Sequence, residues 1–215
     1  MTLNANALPK TGGKKFDPVD IGNYPARVVC IYELGLQSQR PYKGKEKPPR
    51  NEVMFTYELV SEFLQDEDGN DMEDKPRWIS ETFGFYPLTA DMAKSTKRYN
   101  VLDPKNEHKG DFSKLIETPC TITVVHNKAM NGNVYANVSA VTPPMKGMSY
   151  PELKNTPKVF DRNNPDMEVW ETMPEWIQKK IKEGLDFKST VLFEKLTGTP
   201  PQERVEEKED EGSPY

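Results

Sequence analysis

EVMFTYELVSEF, residues 52–63, is the stretch on which the fold class turns. Val53, Phe55, Tyr57, Leu59 and Phe63 share one parity, and Glu52, Thr56, Glu58 and Glu62 the other. Apolar residues on one side of a period of two make the pattern of a half-buried β-strand. The same kind of element recurs on both sides of it. Upstream, NYPARVVCIYEL (23–34) is rich in Val, Ile and Tyr, as a strand should be. Downstream come PRWISETFGF (76–85), TPCTITVVH (118–126) and NVYANVSAV (133–141). Asp68-Gly69, inside QDEDGNDMEDK (65–75), and Asn131-Gly132, inside NKAMNG (127–132), are turn dipeptides between consecutive strands.

One segment between the third and fourth strands changes period. LTADMAKSTKRYN (88–100) puts Leu88, Met92 and Tyr99 on one side, with Thr89 as a cap and Lys97 and Arg98 in the last turn, which predicts a short helix. Residues 101–117 read as a polar connector. Three strands, a helix and two strands form the plan of a mainly β, five-stranded OB-fold barrel over residues 17–145, though other five-stranded barrels share that plan. Residues 146–202 read as an irregular extension with one helix, TMPEWIQKKIKEG (172–184), in which Thr172 and Glu175 fit a capping box. That helix is free to pack on the barrel or to mediate self-association, so a homo-oligomer stays open. Residues 1–16 have no period and read as a disordered arm. Residues 203–215 hold six acids and two bases and read as an acidic disordered tail.

Composition narrows the function class. Of 215 residues 35% are hydrophobic and 19 are proline, so part of the chain builds a core and part does not. No run of about 18 apolar residues exists for a membrane span, and Met1 to Lys10 lacks the basic and apolar regions of a secretory signal. Cys30 and Cys120 stand alone in strand-like runs and read as buried thiols, with a redox pair as the alternative. No Cys/His cluster suggests zinc. Setting Gly69 at the sixth position of a calcium loop puts Leu64 first and Lys75 twelfth, where oxygen ligands are needed, so no metal or other cofactor is expected. Phosphate-loop, dinucleotide and nucleophile-elbow motifs are absent. His126 ends an apolar strand and reads as structural, and His108 as solvated. The chain is read as not an enzyme.

The net charge of −5 conceals a segregation. Residues 203–215 carry −4 and residues 62–74 carry −7, which leaves +6 on everything else. Much of that positive charge lies in QSQRPYKGKEKPPR (37–50), a loop with Arg40, Lys43, Lys45, Lys47 and Arg50 against Glu46 alone. Single-stranded nucleic acid is held by cations that follow phosphates and by aromatic faces that stack bases. Arg40, Lys43, Lys45, Lys47, Arg50, Arg77 and Lys128 are the candidate phosphate contacts, with Arg27 on a face that parity leaves undecided. Tyr42, Trp78 and Tyr135 are the candidate stacking residues, Trp78 being either a base platform or a cover for the barrel edge. Phe55 and Tyr57 read as core.

YPARVV (24–29), QRPYKGKEKPP (39–49) followed by VMFTYELV (53–60), and EEKEDEGSPY (206–215) together resemble the OB-fold single-stranded-DNA-binding proteins of tailed bacteriophages. The resemblance implies coating of single-stranded DNA in replication and recombination, in the cytoplasm of an infected bacterium. It also implies a tail (Glu206, Glu207, Glu209, Asp210, Glu211, Tyr215) that modulates DNA access and binds phage or host replication proteins. The tail ends in Tyr where family tails often end in Phe. A protein–protein adaptor and an RNA-binding OB protein are the alternatives.

Overall fold

The computed structural model describes residues 17–130 and 132–202. The arm at 1–16, the tail at 203–215 and Asn131 of the hairpin lie outside the described residues. Five antiparallel strands form one curled sheet: β1 (Gly22–Gln37), β2 (Arg50–Gln65), β3 (Asp71–Gly84), β4 (Pro119–Lys128) and β5 (Val134–Thr142), in the spatial order β3-β2-β1-β4-β5. The curl brings β3 and β5, the two ends of that order, near each other, but no strand pairing joins them among the described residues. The sheet is therefore barrel-like, with an open seam.

All five strands fall where the sequence pattern predicts them, and β3 begins earlier, at Asp71. Their inner faces pack one core. Ala26, Val28 and Ile31 from β1 meet Phe55, Tyr57 and Leu59 from β2 and Cys120, Ile122 and Val124 from β4, all buried. Each Val, Ile, Leu or Phe side chain removed from water contributes roughly 1.5–3 kcal/mol. Strict alternation fails at Val28/Cys30, where a bulge against β2 puts Val29 and Cys30 together on the outer face and returns Ile31 to the core.

α1 (Lys94–Leu102) stands between β3 and β4 as expected, but it begins five residues after Thr89. Two successive turns, Ala90 N–H to Pro87 O and Ala93 N–H to Ala90 O, occupy the predicted first turn, and Met92 is exposed rather than packed. The register is set by Glu81, an inward carboxylate on β3. It pairs with Lys94 at 2.6 Å and Arg98 at 2.7 Å, one helical turn apart, and accepts the Tyr57 hydroxyl at 2.8 Å. Burial would raise Glu81, but Arg98 and Lys94 outweigh it and hold the carboxyl below its usual range. Phe112 and Leu115, in the connector read as polar, close the end of this core from a 3-10 turn.

The second strand is not half-buried. Glu52, Met54, Thr56 and Glu58, its outer row, are all buried beneath residues 150–196. That segment is not an irregular extension with one helix. It contains β6 (Lys158–Phe160), which pairs parallel to β1, and α2 (Met167–Thr172), α3 (Glu175–Lys182) and α4 (Val191–Thr197). The Thr172/Glu175 capping box does not form. Thr172 belongs to the end of α2, where its hydroxyl bonds Val169 O and accepts Lys158 Nζ, while extended Met173 and Pro174 separate the two helices. Phe160, Trp170, Met173, Ile177, Ile181 and Leu192 pack on Val29, Tyr32, Leu34 and Met54 as a second core.

Arg162 pins this unit to the sheet. Its guanidinium donates to both Asp186 carboxylate oxygens at 2.8 Å and to Glu33 at 3.1 Å. It lies against Gly35, whose φ of +83 and lack of a Cβ both matter, since any side chain there would collide with the guanidinium. Cys30 and Cys120 are free and buried, one in each core and so on opposite faces of the sheet. Burial pushes the Cys120 thiol up to about 12, which makes it a poor nucleophile.

Candidate nucleic-acid interface

The open seam builds a cleft of about 520 Å³. Arg77, Trp78, Ile79 and Ser80 of β3 form one wall, Val134, Tyr135 and Ala136 of β5 the other, and Asp17–Val19 close one side. Trp78 comes from the outer row of β3, as its parity requires, and is 43% exposed. Tyr135 is 50% exposed, and Val134, on the opposite parity of β5, is 43% exposed. Val134 starts β5 at the far end of the sheet, opposite Lys128, where no core remains to cover it.

Trp78 is held in place. Its indole N–H donates to Glu58 Oε2 at 3.1 Å. Glu58 is fully buried and also accepts Lys154 N–H at 2.6 Å, Asn155 N–H at 3.3 Å and the Asn155 side-chain amide at 2.7 Å. One carboxylate therefore fixes both the tryptophan and the segment leading into the C-terminal unit. Sequence reasoning missed this role because Glu58 sits at an outward parity, where acids are ordinarily solvated.

The predicted site residues divide into two groups. Arg77, Trp78 and Tyr135 line the cleft, and exposed Lys128 ends β4 opposite Val134. The basic loop stands at the other end of the sheet, since Arg50 pairs with Gln37 whereas Glu58 pairs with Trp78. Those positions are eight residues apart, about 26 Å of strand. Within the loop, Tyr42 and Lys45 exchange backbone hydrogen bonds at 2.9 and 3.0 Å around a tight turn with Lys43 at φ 51 and Gly44 at φ 76. Arg40, Tyr42, Lys43, Lys45 and Lys47 are all exposed on this prong. The Lys47 and Lys43 ammonium groups lie 4.8 and 5.5 Å from the Tyr42 ring centre, so cations already cover that ring.

Arg27 and Arg50 have structural partners. Arg27 was a candidate phosphate contact, but its guanidinium donates to the carbonyls of Pro151 and Glu117 at 2.8 Å and Tyr150 at 2.9 Å. It lies opposite Glu58 in register and clamps the same segment to the sheet, as its outer position beside the bulge dictates. Arg50 pairs with buried Glu52 at 2.9 Å, and Lys180 of α3 approaches the other Glu52 oxygen at 2.7 Å. Tyr86, which the sequence pattern did not single out, is 43% exposed beside Gly84 and Arg50 at the root of the loop.

The charge around the cleft is uneven. A second hollow of about 560 Å³ adjoins Arg77 and is lined by Asp17, Asp20, Glu62, Asp66 and Asp71. Burial raises Glu62, and Asp71 and Asp20 push it further up against the pull of Arg77. An anion entering the cleft is therefore repelled from this border. Among the described residues, no group of three His, Cys, Asp or Glu side chains could hold a metal ion. His108 is exposed, and His126 Nε2 lies 2.8 Å from the Val19 carbonyl. No helix among the described residues is long and apolar enough to cross a membrane. No protein-family model matches the chain, and no curated protein is detectably similar to it.

Proposed function

We propose that this is a non-enzymatic, largely sequence-independent single-stranded-DNA-binding protein on an OB-type barrel, of the kind found in tailed phages. The observation that carries the reading is the cleft in which exposed Trp78 and Tyr135 stand on facing strands with Arg77 beside them. Two aromatic faces on a rigid sheet suit bases, which stack regardless of sequence at about 1–3 kcal/mol each. The seam leaves the outer row of β3, with Ser80 and Thr82 exposed, as the track from the cleft toward the basic loop. Residues 203–215 would compete with DNA for cationic surface at the high local concentration that tethering provides, and when displaced would bind replication proteins.

The test is a fluorescence titration of the full chain with a mixed-sequence 30-nucleotide DNA at several salt concentrations. Quenching with a negative slope of log affinity against log salt supports the reading. An absence of binding at low salt, by the full chain and by one truncated after Arg204, overturns it in favour of a protein–protein adaptor. Tighter binding to the ribose form of the same sequence would move the assignment to RNA.

A further inference from the structure

Between the cleft and the prong, the outer row of β3 presents Ser80 and Thr82, which offer neither a stacking face nor a positive charge. A strand following β3 crosses that stretch unheld unless a neighbouring element supplies both. The neighbour is the C-terminal unit. It buries the outer row of β2, and that row pairs with the exposed row of β3: Glu58 with Trp78, Thr56 with Ser80 and Met54 with Thr82. The edge of the unit therefore falls between two strands about 4.8 Å apart and runs alongside the exposed row.

Hydrogen bonds fix which residues form that edge. At the cleft end, Arg27 of β1 holds the carbonyls of Tyr150 and Pro151, and Lys158 pairs with Cys30 of the same strand. Between those anchors the chain reaches out over β2 to Glu58, which accepts Lys154 N–H at 2.6 Å and the Asn155 side chain at 2.7 Å. Lys154 and Asn155 are thus the tip of the excursion, seated on the carboxylate that also holds the Trp78 indole at 3.1 Å. Lys154 is exposed, and a lysine stem is long and flexible enough to bring its charge to a phosphate beside the indole.

Toward the prong the edge is α3. Ile177 and Ile181 enter the second core. Gln178 and Lys182 lie toward α2, the first donating to Trp170 O at 2.9 Å and the second 5.4 Å from the Trp170 ring centre. At about 3.6 residues per turn, Trp176 and Lys180 share the opposite flank of the helix. Lys180 shows where that flank looks, because it reaches Glu52 of β2 at 2.7 Å, and Glu52 pairs with Gly84 of β3. Trp176 is 58% exposed on the same flank. Glu175 and Lys179 are its exposed neighbours on α3, so the indole adds a face and no net charge.

We infer that the C-terminal unit is the second wall of a groove along β3, with Lys154 as a phosphate contact beside Trp78 and Trp176 as a further stacking face between the cleft and the prong. The inference rests on the single-strand reading above. It gives the C-terminal unit a part in binding in addition to covering β2.

The experiment titrates the full chain, Trp176→Ala, Lys154→Gln and a control, Lys188→Gln, an exposed lysine in the turn beyond α3, with the 30-nucleotide DNA across salt concentrations. Binding is read from the polarisation of a dye on the DNA, and thermal melts confirm equal folding. Trp176→Ala is expected to weaken binding about 5- to 150-fold with the salt slope unchanged. Lys154→Gln is expected to lose about 0.7 from the slope, which is about 5-fold in affinity at about 0.1 M salt. The control is expected to change neither. A second measurement uses Trp78→Phe. Trp170 is 5% exposed, so Trp176 is then the exposed one of the remaining tryptophans, and saturating DNA is expected to shield it from acrylamide quenching. An absence of shielding overturns the stacking role. Wild-type affinity and slope in either groove variant overturn that residue's assignment, and in both the whole inference, while the single-strand reading stands. Loss of self-association in Trp176→Ala with DNA affinity unchanged overturns it in favour of a contact between copies of the chain. A wild-type chain that binds no DNA removes both readings together.

Discussion

Among the described residues, the cleft between β3 and β5 holds Trp78, Tyr135 and a single cation, whereas the prong between β1 and β2 holds four exposed cations and a tyrosine that two of them already cover. Exposed aromatics and exposed cations, the two requirements of the proposed single-strand site, stand at opposite ends of one sheet. The cleft is rigid, because Glu58 holds Trp78 from a fully buried position. The prong is a preformed turn that carries charge out into solvent. The difference gives the proposed function a consequence: if the chain binds single-stranded DNA, a short oligonucleotide engages one region only, while a strand long enough to follow β3 engages both.

The largest effect is expected from Glu58→Ala. Removing this carboxylate leaves the indole N–H of Trp78 and the amides of Lys154 and Asn155 without their acceptor, at a cost of about 2–4 kcal/mol in stability. Thermal unfolding measures that loss, and the titration is expected to show weaker DNA binding as well. Wild-type stability would break the idea that one residue braces both the cleft and the C-terminal unit.

Acid is expected to act next. Glu81, Glu52 and Asp186 all have folded-state values below their ordinary 4.5, 4.5 and 3.8, in each case because ion pairs and hydrogen bonds outweigh the burial that opposes them. Their contribution is fully present above those ordinary values and is lost as pH falls through the depressed ones. The melting temperature should therefore stay level from pH 7 to about 5 and fall below about 4.5. A melting temperature that rose on acidification would contradict the ion-pair geometry.

Trp78→Ala and Tyr135→Ala sharpen the comparison from the cleft side. Each is expected to weaken DNA binding by about 1–3 kcal/mol with the salt slope unchanged, because stacking releases no counterions. Lys43→Gln/Lys45→Gln/Lys47→Gln sharpens it from the other side and is the smallest in affinity for short strands. The salt slope for the 30-nucleotide DNA is expected to fall by about 2, while an oligonucleotide of about five residues should bind as before. Equal losses at both lengths would show that prong and cleft act on the same few nucleotides.

Much of the fold was legible. Five strands and the helix after the third follow from alternation and turn residues, which act within a few positions along the chain. The C-terminal unit was not. Its elements are short, with three residues in β6 and six in α2, and each is stabilised by packing on β1 and β2 rather than by its own pattern. The residue types of the candidate cleft and prong were legible, and their grouping was not. Trp78, Tyr135 and Tyr42 were identified as exposed aromatics, but parity could not divide them between two ends of the sheet. The structural partners of Arg27 were not legible, because the bulge at Val29 hides its face and they are carbonyls of residues 117, 150 and 151.

By itself the sequence determined that the chain is mainly β, the approximate course of its five antiparallel strands, and that its positive charge is segregated from two acidic segments. These are local properties, set by the two-residue period of a strand and by residue charge. Only the tertiary structure decided that the sheet curls without closing, that the second strand is covered on both faces, and that Trp78 and Tyr135 line one cleft. Those outcomes depend on register, bulges and long-range docking. In them, residues nearly 60 positions apart come together because burying a shared apolar surface outweighs the entropy of closing the loop between them.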